Sequence, residues 1–442
     1  MRIRFWGTRG SLPKPGPTTL RYGGNTSCVE VQAADGTHVL LDCGTGAHAL
    51  GRTLAADSTP MHGHILIGHT HWDHIQGLPF FAPLFVPGNI WEIYAPGGQG
   101  RQLEASLAGQ MAYAYFPITL EALNAEVRLH ELKEGVFELG SIRITTQYLN
   151  HPALTLGYRL EADGATLVYA TDYEPHSLHP LAAPPGTAPV HHEDRRHIRF
   201  LEEAALVIHD AQYTLEEFPA KAGWGHTPME RAVDYALLAH AKQLALFHHD
   251  PERHDDAVDQ LCDKARRRAA ARNSALQVVA AAEGQVIELS GEAAGRRPSG
   301  AATVSALLSQ APQVASTVLI VDDDPMMIHL LKTTLQDEGV QVLTASDGES
   351  ALQLARQRRP ALIVLDMVLP GMNGLEVCRT LRAESDPHLC DLPIVMLTGA
   401  KLHERDLVQA FAAGVTDYLV KPIKPTLIRS RVRAWLLRTS TA

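Results

Sequence analysis

Hydrophobic and polar positions predict different layouts in the two parts of this chain. In the first part, short apolar runs bounded by Gly, Pro or Asn predict β-strands. The clearest cover residues 2–6, 27–31, 38–42, 64–68 and 90–95. Helical periodicity predicts helices over residues 228–241 and 255–272. This part is therefore expected to be a mixed α/β domain.

The second part alternates strictly between strand-like and helical stretches. Such alternation predicts a parallel sheet with helices on both faces. Between the two parts, residues 291–316 are rich in Ala, Ser and Gly and predict a linker. The expected domains are thus residues 1–290 and 317–442. The five strand-like runs cover residues 317–322, 341–345, 361–365, 393–397 and 417–420.

Composition narrows the classes of function. A formal net charge of -10 argues against a long basic surface for nucleic acid, because neutralised phosphates supply most of that affinity. No run approaches the roughly 18 to 20 apolar residues of a membrane span, and the first residues lack a secretory signal. The five cysteines form no CxxC pair. We expect a cytoplasmic enzyme without stable DNA or membrane binding.

The densest chemistry lies in six consecutive residues, His69-Thr-His-Trp-Asp-His74. Imidazole and carboxylate are ligands that divalent ions such as Zn²⁺ accept. Extended backbone would send His69 and His71 to the same side, which leaves Asp73 and His74 for a second ion. The spacing differs from the helical His-Glu-x-x-His arrangement. The motif thus predicts a two-metal site rather than a solvated loop.

A two-metal site needs further ligands, and three polar residues stand where later strands are predicted to end. They are His151, Asp172 and His248. Strand ends can present side chains to a shared cleft. Each residue alone is typical of a cap or a surface position, but together with the cluster they predict a complete ligand set.

Five segments, in order, resemble the metallo-β-lactamase superfamily, specifically its ribonuclease Z-like and phosphodiesterase branch. The resemblance implies an αββα sandwich for residues 1–290 and a metal-dependent hydrolase. The matching segments are residues 25–31 (NTSCVEV) with 41–46 (LDCGTG), 69–74, 150–151, 171–172 and 247–251 (FHHDP).

The resemblance also implies a role for each ligand. Asp172 would bridge two ions, and Asp42 would accept a hydrogen bond from a ligand imidazole and fix its tautomer. Position in the family favours His248 over His249. Zn²⁺ is the expected ion, and Mn²⁺ or iron also accepts these ligands. The implied ligands are His69, His71 and His151 for one ion, and Asp73, His74 and His248 for the other.

Residues 209–212 (HDAQ) and 225–230 (GHTPME) resemble the segments that supply a catalytic histidine to ribonuclease Z-like enzymes. The resemblance implies that His226 protonates the leaving oxygen and that Asp210 steadies it, with Asp73 as the third catalytic residue. Ribonuclease Z proteins usually have Glu in place of Asp210, so a shorter or indirect contact is expected. Alternatively, this segment only begins a helix, with Thr227 as N-cap and Pro228 at the first position.

The implied reaction is hydrolysis of a phosphodiester, for which two cations activate water and clamp phosphate oxygens. An alkoxide leaving group needs an acid such as His226. The chain lacks a long Gly/Pro-rich arm of the kind that grips tRNA, which favours small or cyclic diesters, including cyclic nucleotides. Alternatives are a lactonase, a ribonuclease Z-like nuclease and a di-iron redox or oxygen sensor. Flavodiiron relatives usually have Glu where His71 stands.

Two further segments leave alternatives open. Tyr113, Tyr115 and Phe116 are expected to join the core or a dimer contact in preference to stacking a nucleobase. Residues 174–200 are rich in Pro and His and predict either a lid or a surface loop. None of their histidines is assigned to metal.

Four motifs in residues 317–438 resemble the receiver domain of two-component response regulators, a (βα)5 flavodoxin-like fold. They are residues 321–325 (VDDDP), 365–367 (LDM), 397–399 (LTG) and 419–422 (LVKP). Carboxyl ends of parallel strands converge on one edge of such a sheet. The resemblance implies that Asp366 accepts a phosphoryl group. It implies Mg²⁺ held by Asp366 with Asp322 and Asp323, and phosphoryl-binding or switch residues Thr398, Tyr418 and Lys421.

The receiver resemblance implies partners and regulation. The expected phosphoryl donor is a sensor histidine kinase or a phosphotransfer protein, and a homodimer is expected. A phosphoryl group adds roughly two negative charges, which can bias a two-state packing. We expect no DNA-binding segment after Ala442. We therefore expect phosphorylation of Asp366 to alter cleavage by the hydrolase or to act on a partner.

Overall fold

The computed structural model describes residues 1–56, 59–97, 102–176, 192–272, 274–290, 316–336, 340–399, 413–423 and 425–439. The chain divides into two units. The first contains Met1–Pro175 and Arg196–Ser309, and the second contains His176–Arg195 and Gln310–Ala442. Apart from Ser316, the predicted linker lies outside the described residues.

Two seven-stranded sheets form the frame of the first unit, with strand orders β14-β1-β2-β3-β4-β5-β6 and β13-β12-β11-β10-β9-β8-β7. The strands of the first sheet are β1 (Arg2–Gly7), β2 (Cys28–Gln32), β3 (His38–Leu41), β4 (His62–Leu66), β5 (Ile90–Pro96), β6 (Glu126–Leu132) and β14 (Val286–Glu288). The strands of the second are β7 (Gly135–Leu139), β8 (Ile142–Leu149), β9 (Thr155–Ala162), β10 (Ala165–Ala170), β11 (Leu206–Asp210), β12 (Gln243–Phe247) and β13 (Gln277–Ala280).

The two sheets pack face to face. The hydroxyl of Tyr158 on β9 donates a hydrogen bond to the carbonyl of Ile67, just beyond β4, at 2.7 Å. Tyr94 on β5 stacks on Phe137 of β7, with ring centroids 5.7 Å apart. Burial of such aromatic pairs supplies much of the energy that holds two sheets together.

Helices cover the outer faces of both sheets. On the first sheet, Leu50 and Leu107 from two helices pack against Ile65 and Trp91. Two later helices lie against β11, β12 and β13. The resulting four layers confirm the predicted αββα sandwich. The helices of this part of the chain are α1 (Ala47–Leu54), α2 (Trp72–Ile75), α3 (Gln102–Gln110), α4 (His192–Leu201), α5 (Met229–Leu238) and α6 (Asp255–Ala270).

The structure corrects three local predictions. The strand predicted over residues 64–68 is β4 and ends at Leu66, so His69 and His71 lie in a loop and not in extended strand. Residues 192–201 form α4, where only a lid or loop was expected, because charged residues had hidden the helical period. Helix α5 begins at Met229, with Pro228 as its N-cap residue. The hydroxyl of Thr227 instead bonds to the carbonyl of Tyr173.

The second unit contains a parallel five-stranded sheet with the order β16-β15-β17-β18-β19, as predicted. Alternate residues of each strand enter opposite cores, because side chains point to the two faces in turn. Leu319 and Val321 pack on one face, and Val318 and Ile320 pack on the other. The elements are β15 (Thr317–Val321), α7 (Pro325–Gln336), β16 (Gln341–Ala345), α8 (Gly348–Arg358), β17 (Leu362–Asp366), α9 (Gly374–Arg382), α10 (Pro387–Cys390), β18 (Ile394–Thr398), β19 (Asp417–Val420) and α11 (Pro425–Thr439).

The cysteines form no disulfide within the described residues. Cys28, Cys43, Cys262 and Cys378 are buried, and Cys390 is half-buried. Within the described ranges, no helix combines the length and the apolar character that crossing a bilayer requires.

Candidate active site

Two groups of donor atoms meet at one edge of the sandwich. In the first, the donors of His69, His71, His151 and Asp172 lie within 4.8 Å of one another. In the second, the same holds for Asp73, His74 and His248. The structure therefore brings together all seven predicted ligands, although they are spread over 180 positions, from 69 to 248.

Asp172 lies between the two groups. Its Oδ2 is 3.5 Å from Nε2 of His69 and 3.7 Å from Nε2 of His151. Its Oδ1 is 3.4 Å from Nε2 of His74 and 3.2 Å from Nε2 of His248. Each carboxylate oxygen thus faces one donor group, which is the arrangement that a bridging ligand requires.

The protonation states of His69, His151 and Asp172 favour cation binding. Burial lowers the pKa of His69 far below its usual value and that of His151 to about 3, so both imidazoles are neutral near pH 7. Burial alone would raise the pKa of Asp172, but the surrounding imidazoles of His248, His74 and His69 lower it well below the ordinary value. Neutral imidazoles and an ionised carboxylate are the forms that bind metal.

Three buried imidazole nitrogen atoms of the cluster have no hydrogen-bond partner among the described residues, which bears on whether cations fit there. Nδ1 and Nε2 of His69 and Nε2 of His74 are buried and accept or donate no hydrogen bond within the part of the chain that the structure describes. Leaving a buried polar atom unsatisfied costs about 1 to 3 kcal/mol. Cations between the donor groups would remove that cost for the two Nε2 atoms, and nitrogen with carboxylate oxygen suits Zn²⁺, Mn²⁺ or iron. The residues therefore fit a pair of divalent cations.

Unusual backbone conformations aim several of these side chains. Asp42, Asp172 and His248 follow strand ends and have φ angles of 60°, 62° and 58°. Residues other than glycine rarely adopt this left-handed region, and such strain concentrates at functional sites. Gly10 allows the close approach of His248, since a Cβ at that position would collide with the imidazole.

A hydrogen-bonded network fixes the orientation of His74. Its Nδ1 donates to Oδ2 of Asp42 at 2.7 Å, which leaves Nε2 for a cation. The hydroxyl of Tyr169 donates to the same oxygen at 2.6 Å, and the backbone N–H of Gly68 donates to Oδ1 of Asp42 at 2.6 Å. The partner of Asp42 is thus His74.

Hydrogen bonds also orient the other two predicted ligands of the second donor group, Asp73 and His248. The backbone N–H of Ser11 donates to Oδ2 of Asp73 at 2.7 Å. Nδ1 of His248 lies 3.3 Å from Oε1 of Gln212. The neighbouring His249 contacts the carbonyl of Ala281 through Nε2, at 2.9 Å, and does not join the cluster. The geometry therefore favours His248 over His249 as the ligand.

His226 and Asp210 form a buried pair beside the cluster. Nδ1 of His226 lies 2.9 Å from Oδ2 of Asp210, so the contact is direct despite the shorter side chain. Burial alone would lower the pKa of His226, but the charge of Asp210 outweighs it and raises the pKa to about 9. The imidazole centroid is 4.9 Å from that of His248 and 5.5 Å from that of His151.

A pocket of about 440 Å³ opens onto His226 and onto members of both donor groups. Trp72, which stands between two predicted ligands, is 76% exposed. Pockets that bind small ligands have volumes of about 300 to 1,000 Å³. The lining residues are Ser11, Thr70, His71, Trp72, Asp73, Asp172 and His226.

The aromatic segment after α3 lies elsewhere. Tyr113 and Tyr115 are each 82% exposed and do not line this pocket, so a core role is wrong for both, and the alternative of a dimer contact stays a prediction. Phe116 contacts Phe80 edge to face, at 5.3 Å between centroids. Of the lid or loop expected over residues 174–200, positions 177–191 lie outside the described residues.

A second acidic cluster lies at the carboxyl edge of the parallel sheet. Donor oxygens of Asp322, Asp323 and Asp366 lie within 4.8 Å of one another. Nζ of Lys421 is 2.9 Å from Oδ2 of Asp322 and 3.0 Å from Oδ2 of Asp366. Burial, together with the charge of Asp322, raises the pKa of Asp366 despite the opposing Lys421. This concentration of carboxylates suits a hard cation such as Mg²⁺.

The two predicted switch residues lie on strands β18 and β19. The hydroxyl of Thr398 donates to the carbonyl of Leu419 at 3.4 Å. Tyr418 is half-buried and packs against the apolar core on one face of the sheet.

Two family models match the chain. Residues 37–249 match the family described as Beta-lactamase superfamily domain, and residues 318–433 match Response regulator receiver domain. The chain carries a beta-lactamase superfamily domain followed by a response regulator receiver domain. The predicted resemblances to the metallo-β-lactamase superfamily and to the receiver domain are thereby confirmed. The first match contains all seven predicted ligands, and the second contains Asp366 and Lys421.

Similar proteins of known sequence match through the receiver domain. The DNA-binding response regulator MtrA of Mycolicibacterium smegmatis is 46% identical over 121 residues, which cover 27% of this chain and 50% of that protein. PhoP of Bacillus subtilis, a transcriptional regulatory protein of alkaline phosphatase synthesis, is 43% identical over 125 residues, covering 28% and 50%. The chain spans about half the length of the curated relatives it matches.

Solved structures resemble each domain separately. A putative response regulator from Chloroflexus aurantiacus is 36% identical, covering 28% of this chain and 98% of that chain, with a TM-score of 0.26. The metallo-beta-lactamase fold protein YhfI from Bacillus subtilis is 19% identical, covering 65% and 98%, with a TM-score of 0.47.

Several residues around the beta-lactamase superfamily site were not predicted from sequence. Ser11 and Gln212 contact predicted ligands, Tyr169 contacts Asp42, and Glu174 contacts the loop before His226. Of these four residues, only Gln212 belongs to a motif identified from the sequence, residues 209–212. Ser11, Tyr169 and Glu174 contact residues that are 51 to 127 positions away in the sequence. A local sequence pattern cannot predict contacts of this kind.

Proposed function

We propose that the beta-lactamase superfamily domain is a two-metal phosphodiesterase and that the receiver domain regulates it. The observation that carries this proposal is the position of Asp172, whose two oxygens face opposite donor groups beside the His226–Asp210 pair. An acid close to two cation sites suits a reaction that places negative charge on phosphate oxygens and on a leaving oxygen.

Each proposed ligand belongs to one side of Asp172. Bound divalent cations would supply Lewis acidity and lower the pKa of water. The ligands of one cation would be His69, His71 and His151, those of the other would be Asp73, His74 and His248, and Asp172 would bridge. Zn²⁺ is the proposed metal, with Mn²⁺ or iron as alternatives.

His226 is the proposed general acid. Nδ1 of His226 is hydrogen-bonded to the carboxylate of Asp210, so Nε2 of His226 points away from that carboxylate. The imidazole of His226 also lines the pocket. With its pKa raised to about 9, His226 carries a proton to donate near pH 7. An alkoxide leaving group needs this proton much more than a nitrophenolate does, because its conjugate acid is far weaker.

The pocket supports a small substrate. Its volume of about 440 Å³ accommodates a single nucleotide-sized group. The exposed indole of Trp72 at its wall offers an apolar face to a base or sugar. Small or cyclic phosphodiesters, including cyclic nucleotides, are therefore the proposed substrates.

Regulation is proposed to begin at Asp366. Asp322 and Asp323 would hold Mg²⁺ with it, and Lys421 would contact the phosphoryl oxygens together with Thr398. A sensor histidine kinase or phosphotransfer protein would be the donor. The added charge would bias the packing of the receiver domain, and turnover by the hydrolase would change in response.

A phosphodiester panel tests the hydrolase proposal. Protein loaded with Zn²⁺ or Mn²⁺ is assayed on cyclic mononucleotides, cyclic dinucleotides, short RNA and a homoserine lactone. The proposal predicts turnover of at least one diester that is lost in Asp172→Ala and retained in His48→Ala, an exposed site on α1. Turnover of the lactone alone would contradict it.

A further inference from the structure

Glu174 follows the proposed bridging ligand Asp172 by two positions, and its backbone is fixed beside His151. Its N–H donates to the carbonyl of Asn150 at 2.7 Å. The side-chain amide of Asn150 donates to the carbonyl of Glu174, also at 2.7 Å. The backbone of Glu174 therefore cannot move independently of the strand end that carries His151.

The carboxylate of Glu174 binds the loop that precedes His226. It is 7% exposed and accepts the N–H of Gly225 at 2.7 Å and that of Gly223 at 2.9 Å. Both glycines have left-handed φ angles, 90° for Gly225 and 85° for Gly223. Glycine adopts such angles without steric cost but also adopts many others. Hydrogen bonds to an ionised group are stronger than neutral ones, so this carboxylate can hold the loop in one of its accessible conformations.

The same loop also meets a proposed metal ligand. Nδ1 of His151 donates to the carbonyl of Gly225 at 2.9 Å, which presents Nε2 to the cluster. A Cβ at Gly225 would collide with that imidazole. His226 is the next residue, so a shift of Gly225 must move the imidazole of His226 relative to the cluster.

We propose that Glu174 is a positioning residue that sets the location of His226 over the proposed metal centre. This inference rests on the proposed function, because it concerns proton delivery by His226. Loss of the carboxylate releases the two glycine N–H groups and lets the loop relax. Misplacement of an acid by about 1 Å slows proton transfer and leaves other parts of the reaction intact.

Two substrates with different leaving groups give the test. Thymidine 5′-(p-nitrophenyl) phosphate releases a nitrophenolate, and thymidylyl-(3′,5′)-thymidine releases an alkoxide. We expect Glu174→Ala to lower kcat about 10- to 100-fold for the dinucleotide and less than about threefold for the nitrophenyl ester. Glu174→Gln, which keeps one acceptor oxygen, should lie between it and the wild type. Glu202→Ala, at an exposed glutamate, should match the wild type on both.

Two further measurements separate positioning from damage to the fold. Metal content should stay at the wild-type ratio in Glu174→Ala. Hydrogen exchange at Gly223 and Gly225 should accelerate at least about tenfold, because their N–H groups lose an acceptor.

The outcomes distinguish this inference from the proposed function. If the wild type cleaves neither of these two diesters nor any diester of the panel above, the proposed function fails. If His226→Ala discriminates between the leaving groups and Glu174→Ala does not, the inference alone is overturned. Equal losses of Glu174→Ala on both substrates, or loss of bound metal, would also overturn it.

Discussion

Nδ1 of His226 lies 2.9 Å from Oδ2 of Asp210, and both side chains are buried. Burial alone would lower the pKa of His226, and the negative charge of Asp210 raises it to about 9. A raised pKa means that the protonated acid persists up to that pH and is lost above it. Without the charge of Asp210, the burial effect prevails and the proton is lost at lower pH.

We therefore expect Asp210→Asn to move the alkaline limb of the kcat profile to lower pH by about 1 to 3 units. Bound cations lower the pKa of His226 in the wild type and in the variant alike. The alkaline limb of the variant is therefore still expected at lower pH than that of the wild type. The profile is measured on the dinucleotide, whose alkoxide needs the acid. Asp263→Asn, at an exposed carboxylate, serves as the control. An unshifted limb would show that Asp210 does not govern the acid.

Asp172 is expected to determine how many cations bind. Asp172→Asn removes the negative charge that both donor groups face, and one carboxylate oxygen becomes an amide donor. The metal content of the dialysed protein should fall from two ions per chain to one or none. Plasma mass spectrometry measures the ratio, with Asp263→Asn as the matched control. Retention of two tightly held ions would rule out a bridging role for Asp172.

Tyr169 is expected to support the metal centre through Asp42. Tyr169→Phe removes the donor at 2.6 Å from Asp42, which in turn orients His74. Loss of such a supporting contact typically weakens metal binding by about 10- to 100-fold. The control is Tyr158→Phe, which removes a buried hydroxyl bonded to the carbonyl of Ile67, just beyond β4 of the facing sheet.

Both tyrosine variants should be destabilised, by about 1 to 2 kcal/mol, because each loses one buried hydrogen bond. Denaturant unfolding of the metal-free proteins measures this cost. Competition with a chelator measures metal affinity. Equal metal affinities in the two variants would contradict the supporting role of Tyr169.

Local sequence patterns, together with the family resemblance, predicted which side chains would meet at this site. A ligand cluster after one strand, and single polar residues at three later strand ends, already pointed to a shared cleft. The receiver motifs were predictable for the same reason, since parallel strands present their carboxyl ends together. The fold class, αββα followed by a five-stranded parallel sheet, followed from the same patterns and the resemblances.

The supporting contacts were not predictable. Tyr169 reaches Asp42 across 127 positions and from the opposite sheet, so the contact depends on how the two sheets pack. Glu174 reaches Gly225 because two loops adopt specific conformations, one with a left-handed glycine. Strand ends were also misplaced, because the apolar run at residues 64–68 continues beyond the last strand hydrogen bond of β4.

Asp366 is the expected site of phosphorylation in the receiver domain. With Mg²⁺ and acetyl phosphate, the wild type should acquire an acid-labile phosphoryl group, detectable as a retarded band in a phosphate-affinity gel. Asp366→Asn should not, whereas Asp391→Asn, at an exposed carboxylate, should behave as the wild type. Lys421→Ala should keep the modification, because Lys421 contacts the acceptor without being it. Modification of Asp366→Asn would assign the acceptor to another residue.

Regulation by the receiver domain predicts that phosphorylation changes turnover by the hydrolase. Turnover of a diester by the wild type should change at least about threefold when acetyl phosphate and Mg²⁺ are added. The same addition should leave Asp366→Asn unchanged, which controls for direct effects of the reagent. Identical rates in all four conditions would contradict regulation within the chain.

The most direct test of the metal centre is a crystal structure of the Mn²⁺-loaded protein with anomalous difference maps. A two-metal centre predicts two peaks, one beside each carboxylate oxygen of Asp172. One should lie among His69, His71 and His151, and the other among Asp73, His74 and His248. A single peak, or peaks that these side chains do not contact, would contradict it.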